Sequence, residues 1–213
     1  MYVKVCGITH IDDARAAIDA GADVLGFNLI PSSKRHVTPD AARAIVDCLH
    51  GEVICVAVVA NLTPSQCAAL GERAGIERFQ LHGDEPPEHI AALAPRAFKA
   101  LRIGDAADVA RAQGFPGRYI LVDAKVEGQL GGTGQRFDWN LVAALAASRP
   151  LILAGGLTPD NVTDAVRTVQ PWGVDVASGV EAAHDVRRKD AMHMRRFVEA
   201  ARRASMSTES LPF

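Results

Sequence analysis

Eight times along the chain a short β-rich run gives way to a stretch of helical periodicity, and that alternation restricts the fold more than any other feature. The strand candidates are residues 2–6, 23–29, 53–59, 78–82, 97–103, 118–124, 150–154 and 173–177. In the stretches between them apolar residues recur at three- and four-residue steps, as in Ala41, Ile45 and Cys48. Thr38, Thr63 and Thr158 each precede a proline, which predicts a helix N-cap followed by Pro at the first helical position. Thr63 and Gln66 also have the spacing of a capping box. Strand–helix pairs in unbroken series predict a parallel sheet covered by helices. Spread over eight units, 213 residues leave roughly 27 per unit, slightly compact for a (β/α)8 barrel. A doubly wound sheet is the runner-up, and it rarely needs eight regular units. The expected fold is therefore α/β, a single-domain (β/α)8 TIM barrel over residues 1–204, with 205–213 as a frayed C-terminal tail.

Composition excludes several functions. The formal net charge is −2, with 23 basic and 25 acidic side chains, so no overall field invites nucleic acid or a membrane surface. No apolar run approaches the ~20 residues of a membrane span, and the N-terminus lacks the pattern of a signal peptide. Cys6, Cys48, Cys55 and Cys67 show no CxxC spacing and are sparse for a disulfide scaffold. A soluble, cytoplasmic protein is the expectation, and monomer and homodimer are both compatible with the sequence. The seven histidines are scattered, with neither HExxH nor HxH, so no metal site is expected.

In a barrel the active site lies at the carboxyl ends of the strands, so residues there come first. Alternation places Lys4 and Cys6 on the inward face of the first strand, with Cys6 at the rim and Val3 and Val5 facing helices. Tyr119, Leu121 and Asp123 share the inward face of the sixth strand, and Asp123 ends it. Gln80 and His82 share a face of the fourth, where His82 stands at the strand end. Alone, Cys6 reads as a buried inert thiol and Asp123 equally well as a loop cap. Together, with an ammonium one layer below that favours the thiolate, they suit a general base and a general acid on opposite walls. Gly155 and Gly156 follow the seventh strand, and Ser178 and Gly179 follow the eighth. Glycine-containing loops there, near helix N-termini, suit a phosphate held by backbone amides, and a side chain at Gly156 or Gly179 is expected to crowd it. The simpler reading is two tight turns. The glycine-rich connection over 124–137 is long enough to be a lid. Arg35, after the second strand, could fork onto a carboxylate or be a solvated loop charge. Lys99 and Arg102 on the fifth strand could face the site or pack beneath it, and packing is the preferred reading.

The motifs KVCGIT, QLHGDE, KALRI, LVDAK followed by GGTG, LAGGLTPDNV, and GVDVASGVE with a later KD occur in the order and spacing of one family. In these, from Tyr2 to about Phe197, the chain resembles the phosphoribosylanthranilate isomerases. The resemblance implies an Amadori rearrangement in tryptophan biosynthesis, with a phosphorylated small-molecule substrate and no metal or cofactor. It implies that Cys6 is the general base and Asp123 the general acid, that Arg35 lies near the anthranilate carboxylate, and that His82 with the two glycine loops contacts substrate. Two departures from the family pattern bear on substrate fit. FNLIPSSKR replaces a more aromatic stretch, with Asn28 and Lys34 unusual, and Ala177 stands where a small polar residue is common. The alternatives are a paralogous phosphosugar isomerase and a non-catalytic phosphate-ligand-binding barrel; the intact Cys6 and Asp123 count against the second.

Overall fold

The strands are apolar on both faces because both are covered. Val3 and Val5 of the first strand are wholly buried under helices, while Lys4 of the same strand is wholly buried on the other side. In a computed structural model, described here for residues 1–123 and 139–208, this two-sided burial belongs to a closed barrel of eight parallel strands. They are β1 (Tyr2–Cys6), β2 (Val24–Asn28), β3 (Ile54–Val59), β4 (Arg78–Leu81), β5 (Ala97–Arg102), β6 (Ile120–Asp123), β7 (Leu151–Ala154) and β8 (Gly173–Val176). Closure comes from pairing of β1 with β8, which sets Lys4 opposite Asp175. The helices are α1 (Ile11–Asp19), α2 (Pro39–Cys48), α3 (Pro64–Ala74), α4 (Pro87–Leu93), α5 (Ala106–Gln113), α6 (Asn140–Ser148), α7 (Val162–Val169) and α8 (Ala191–Thr208).

The core has two layers. The larger fills the space between strands and helices. The smaller, of Val24, Val56, Phe98, Ala100, Leu121, Ile152 and Ala154, fills the barrel itself. Tyr2, Trp172 and Tyr119 stack beneath it, both ring pairs with centroids 4.4 Å apart.

All eight expected strands are present, each within two residues of its expected ends. Thr38 caps α2, and Thr63 with Gln66 forms the expected capping box on α3. Other details differ. The buried stripe of α2 is Ala42 and Ile45 followed by Leu49, one position round from Ala41 and Cys48, which are exposed. Thr158 does not cap α7; a turn intervenes and Asn161 is the cap, its Oδ1 accepting from the Thr158 amide at 2.8 Å. Helix α8 continues through Thr208, past the expected boundary at 204. Nor does a helix follow β8 directly. A three-residue 3-10 turn (Ser178–Val180) leads into an antiparallel ribbon, β9 (Glu181–Ala182) and β10 (Asp185–Lys189), before α8 begins. The connection proposed as a lid, 124–137, lies outside the described residues. Among the described residues no helix is long and apolar enough to cross a membrane.

Candidate active site

Alternation along each strand delivers a set of polar side chains to the inside of the barrel near its carboxyl end. Register pairs Cys6 with Gly26, Lys4 with Asp175 and Arg102 with Asp123 across neighbouring strands. Cys6 stands on one wall and Asp123 on the wall formed by β6, as the sequence suggested.

Cys6 is 8% exposed, and the Lys4 ammonium below it attracts its sulfur electrostatically. Lys4 has no solvent contact, and its Nζ donates to Asp175 Oδ1 at 2.9 Å. Burial works against the Lys4 charge, but the Asp175 carboxylate and the Cys6 sulfur outweigh it and raise the pKa above its ordinary value. A permanently positive group therefore sits against the thiol. Room for this arrangement comes from Gly26, whose missing side chain would lie 2.7 Å from Cys6 Sγ and 2.9 Å from Lys4 Nζ. The Gly26 carbonyl also accepts from the amides of Gly7 and Ile8, fixing the turn after Cys6. Gly26→Ala is accordingly expected to displace sulfur and ammonium together, lowering kcat at least tenfold while the barrel still folds. Steady-state kinetics beside a thermal melt would check it, and unchanged kcat would show that the sulfur's position is not critical.

Across the mouth, Asp123 Oδ1 is buried with no hydrogen-bond partner among the described residues, and Oδ2 is 4.0 Å from His82 Nε2. His82 follows β4, and its Nδ1 lies 3.0 Å from Gln80 Nε2. That contact orients the ring so that Nε2 faces Asp123. Burial first, then Lys4 and Lys99, pushes the His82 pKa below its ordinary value against the pull of Asp123 and Asp175. The imidazole is thus neutral at pH 7.

Arg35 lies over Gly7, whose φ of +80° and lack of a side chain admit the arginine methylenes. Its Nε donates to Glu181 Oε1, and among the described residues its Nη groups have no partner. Lys189, with a fully enclosed side chain, completes this corner 3.7 Å from Glu181. Asn28 and Lys34, the unusual residues of this segment, do different things. Asn28 Oδ1 accepts from the Ile30 amide and shapes the turn after β2, whereas Lys34 is exposed. Ala177 contributes its carbonyl, which accepts from Lys189 Nζ at 2.9 Å.

The two glycine loops do meet. Gly155 and Gly156 have φ of +88° and +65°, and a side chain on Gly156 would point into open space. A Cβ on Gly179 would instead collide with the Leu157 carbonyl. Substitution at Gly179 therefore forces the two loops apart and does not report on crowding of an anion, contrary to the sequence-based expectation. Ser178 opens the 3-10 turn beside it.

Lys99 packs outside the barrel as expected, its Nζ on Glu85 at 3.0 Å and on the Gly83 and Leu81 carbonyls. Arg102 does not. It shares the inward face with Phe98 and Ala100, is exposed at the rim, and has no partner among the described residues. Sequence reasoning also passed over Asp175, Glu181, Lys189 and Gly26. A lone charge inside the apolar run VDV and a glycine in mid-strand were the available signals. Among the described residues no three His, Cys, Asp or Glu side chains converge as metal ligands.

Known proteins share this fold and much of this sequence. A family model described as N-(5'-phosphoribosyl)anthranilate (PRA) isomerase matches residues 3–200. An N-(5'-phosphoribosyl)anthranilate isomerase of Magnetococcus marinus is 46% identical over 202 residues, covering 95% of each chain. The crystal structure of phosphoribosyl anthranilate isomerase from Thermotoga maritima superposes with a TM-score of 0.85 at 36% identity, over 95% of this chain and 98% of that one. A structure of the same enzyme type in complex with reduced 1-(o-carboxyphenylamino)-1-deoxyribulose 5-phosphate has a TM-score of 0.82 at 34% identity, over 95% and 98%. The barrel and the match along nearly its whole length agree: this chain belongs to the N-(5'-phosphoribosyl)anthranilate isomerase family.

Proposed function

We propose that the chain catalyses the Amadori rearrangement of N-(5-phosphoribosyl)anthranilate to 1-(2-carboxyphenylamino)-1-deoxyribulose 5-phosphate, the isomerase step of tryptophan biosynthesis. The observation that carries this reading is the placement of Cys6 and Asp123 on facing walls of one barrel mouth, the first near the Lys4 ammonium, the second with a buried oxygen that has no partner among the described residues. Asp123 donates its proton to the ribose ring oxygen, the C1–O bond opens, and the anilino nitrogen lone pair closes a Schiff base. Cys6 as thiolate removes the proton on C2, and those electrons form an enolamine, which tautomerises to the ketone. Hydrogen and electrons are only redistributed, so the net reaction needs no redox partner. Gly155, Gly156, Ser178 and Gly179 hold the phosphate through backbone, and the neutral His82 turns its Nε2 edge toward Asp123 and the substrate beside it. Every residue named lies on a single chain, so a monomer or a homodimer serves equally, and the cytoplasm supplies the reducing setting in which Cys6 stays a thiol.

The direct test is the fluorescence of freshly generated phosphoribosylanthranilate, which should decay on adding the protein; a trace unchanged from the uncatalysed one would overturn the assignment. Arg35 binds the anthranilate carboxylate in this reading. Arg35→Ala should raise KM by the worth of a charged hydrogen bond, ~1.5–3 kcal/mol, with a smaller change in kcat. An unaltered KM would remove Arg35 from substrate recognition.

A further inference from the structure

Glu181 and Lys189 face one another across the ribbon that follows β8. Neither belongs to the acid–base pair or to the glycine loops, yet both are tied to the rim. Glu181, with an 11% exposed side chain, accepts from Arg35 Nε and lies 3.7 Å from Lys189 Nζ. Lys189 Nζ donates to the carbonyl of Ala177, the residue before Ser178. The ribbon is itself strapped across the loops that carry the site. Thr9, just after Cys6, donates to the Arg187 carbonyl, and Arg187 Nη1 donates to the His36 carbonyl at 2.8 Å. The Lys189 amide and the Arg188 guanidinium both bind the buried carboxylate of Asp13 on α1. Lys189 is therefore fixed by its own backbone and its neighbours on β10, and Glu181 is set opposite it by the pairing of the ribbon.

Charge counting gives this corner its meaning. Arg35 with Glu181 alone is a neutral pair, and a substrate carboxylate approaching the Nη groups would meet the Glu181 charge close behind them. Lys189 restores a net charge of +1 to the trio in a pocket where screening by water is weak. Glu181 meanwhile occupies Nε and leaves both Nη groups for a forked contact.

We propose that Lys189 is a positioning and specificity residue which, through Glu181, keeps Arg35 both oriented and electrostatically attractive toward the carboxylate of the substrate's aminobenzoate group. The inference rests on the assignment of Arg35 above. It predicts discrimination for a carboxylated aromatic ring over the same ring without the carboxylate, separate from affinity for the sugar phosphate.

The experiment measures dissociation constants, by calorimetry, for reduced 1-(o-carboxyphenylamino)-1-deoxyribulose 5-phosphate and its phenylamino counterpart lacking the carboxylate. Lys189→Met should cut the preference for the carboxylated compound ~10-fold or more, the scale of one charged hydrogen bond, and leave the phenylamino compound within about threefold. Glu181→Gln, which removes the opposing charge, should keep the preference. The double variant, again with net +1 at the corner, should restore it to within about threefold of the parent. A purely structural role for Lys189 would weaken both ligands alike and would not be rescued by the second substitution; either result overturns the proposal. Should Lys189→Met not fold, the double variant is read against Glu181→Gln, where equal preference supports the proposal and a loss overturns it. Arg35→Ala separates the two levels. A preference that survives it removes the carboxylate role from Arg35 itself, whereas loss there with the preference intact in Lys189→Met overturns Lys189 alone.

Discussion

Cys6→Ala is expected to lower kcat by ~10² to 10⁴, the usual contribution of one general acid–base group, with KM little changed. The structure says why the fold should survive this. Lys4 keeps its hydrogen bond to Asp175 at 2.9 Å, so no buried charge is stranded. Only a small side chain leaves the top of the barrel. Cys6→Ser should be nearly as poor, because the Lys4 ammonium can stabilise a thiolate far more readily than an alkoxide, whose parent hydroxyl is much harder to ionise. A thermal melt beside the kinetics separates chemistry from folding. Substantial turnover by a folded Cys6→Ala protein would take Cys6 out of the mechanism.

Asp123→Asn should fail at an earlier step. The amide keeps the size and polarity of the carboxyl but has no acidic proton to give the ring oxygen, so ring opening is lost and kcat falls by a similar ~10² to 10⁴. Binding should largely persist, since the phosphate and carboxylate ends of the substrate are held elsewhere. Calorimetric affinity for the reduced product analogue within about threefold of the parent, with turnover near background, is the expected pair of results. Near-normal turnover would place the acid on another residue, of which Arg102 and the neutral His82 are the nearest by register and distance, and neither is a good proton donor at pH 7.

Much of this was legible before any coordinates. Strand ends and alternation sufficed to bring Cys6 and Asp123 to one rim, because a parallel barrel turns position along a strand directly into height in the barrel. What escaped was whatever depends on pairing between distant segments. Asp175 reads as an oddity in an apolar run until β1 and β8 close and give it Lys4 as partner. Glu181 and Lys189 sit inside a recognised motif, but a ribbon with one leg of two residues and a charged second leg of five has too little alternation to announce itself. Arg102 was misjudged for a different reason. Its neighbour Lys99 points outward, and without the register of β5 the odd and even positions of that strand cannot be told apart.

The distance along the chain between Lys4 and Asp175 has a consequence for how the molecule comes into being. During synthesis at ~5–20 residues per second, roughly 10 to 30 seconds separate the appearance of the two. Throughout that interval the nascent chain carries an ammonium destined for the interior with nothing to neutralise it, and removing one partner of such a pair costs ~3–5 kcal/mol once buried. On that count the first strand is expected to resist burial in a half-built sheet until the eighth arrives. The Lys4–Asp175 contact would then act as a latch on assembly, and a ribosome-bound chain stalled before Asp175 should leave Lys4 open to amine-reactive reagents that the finished enzyme resists.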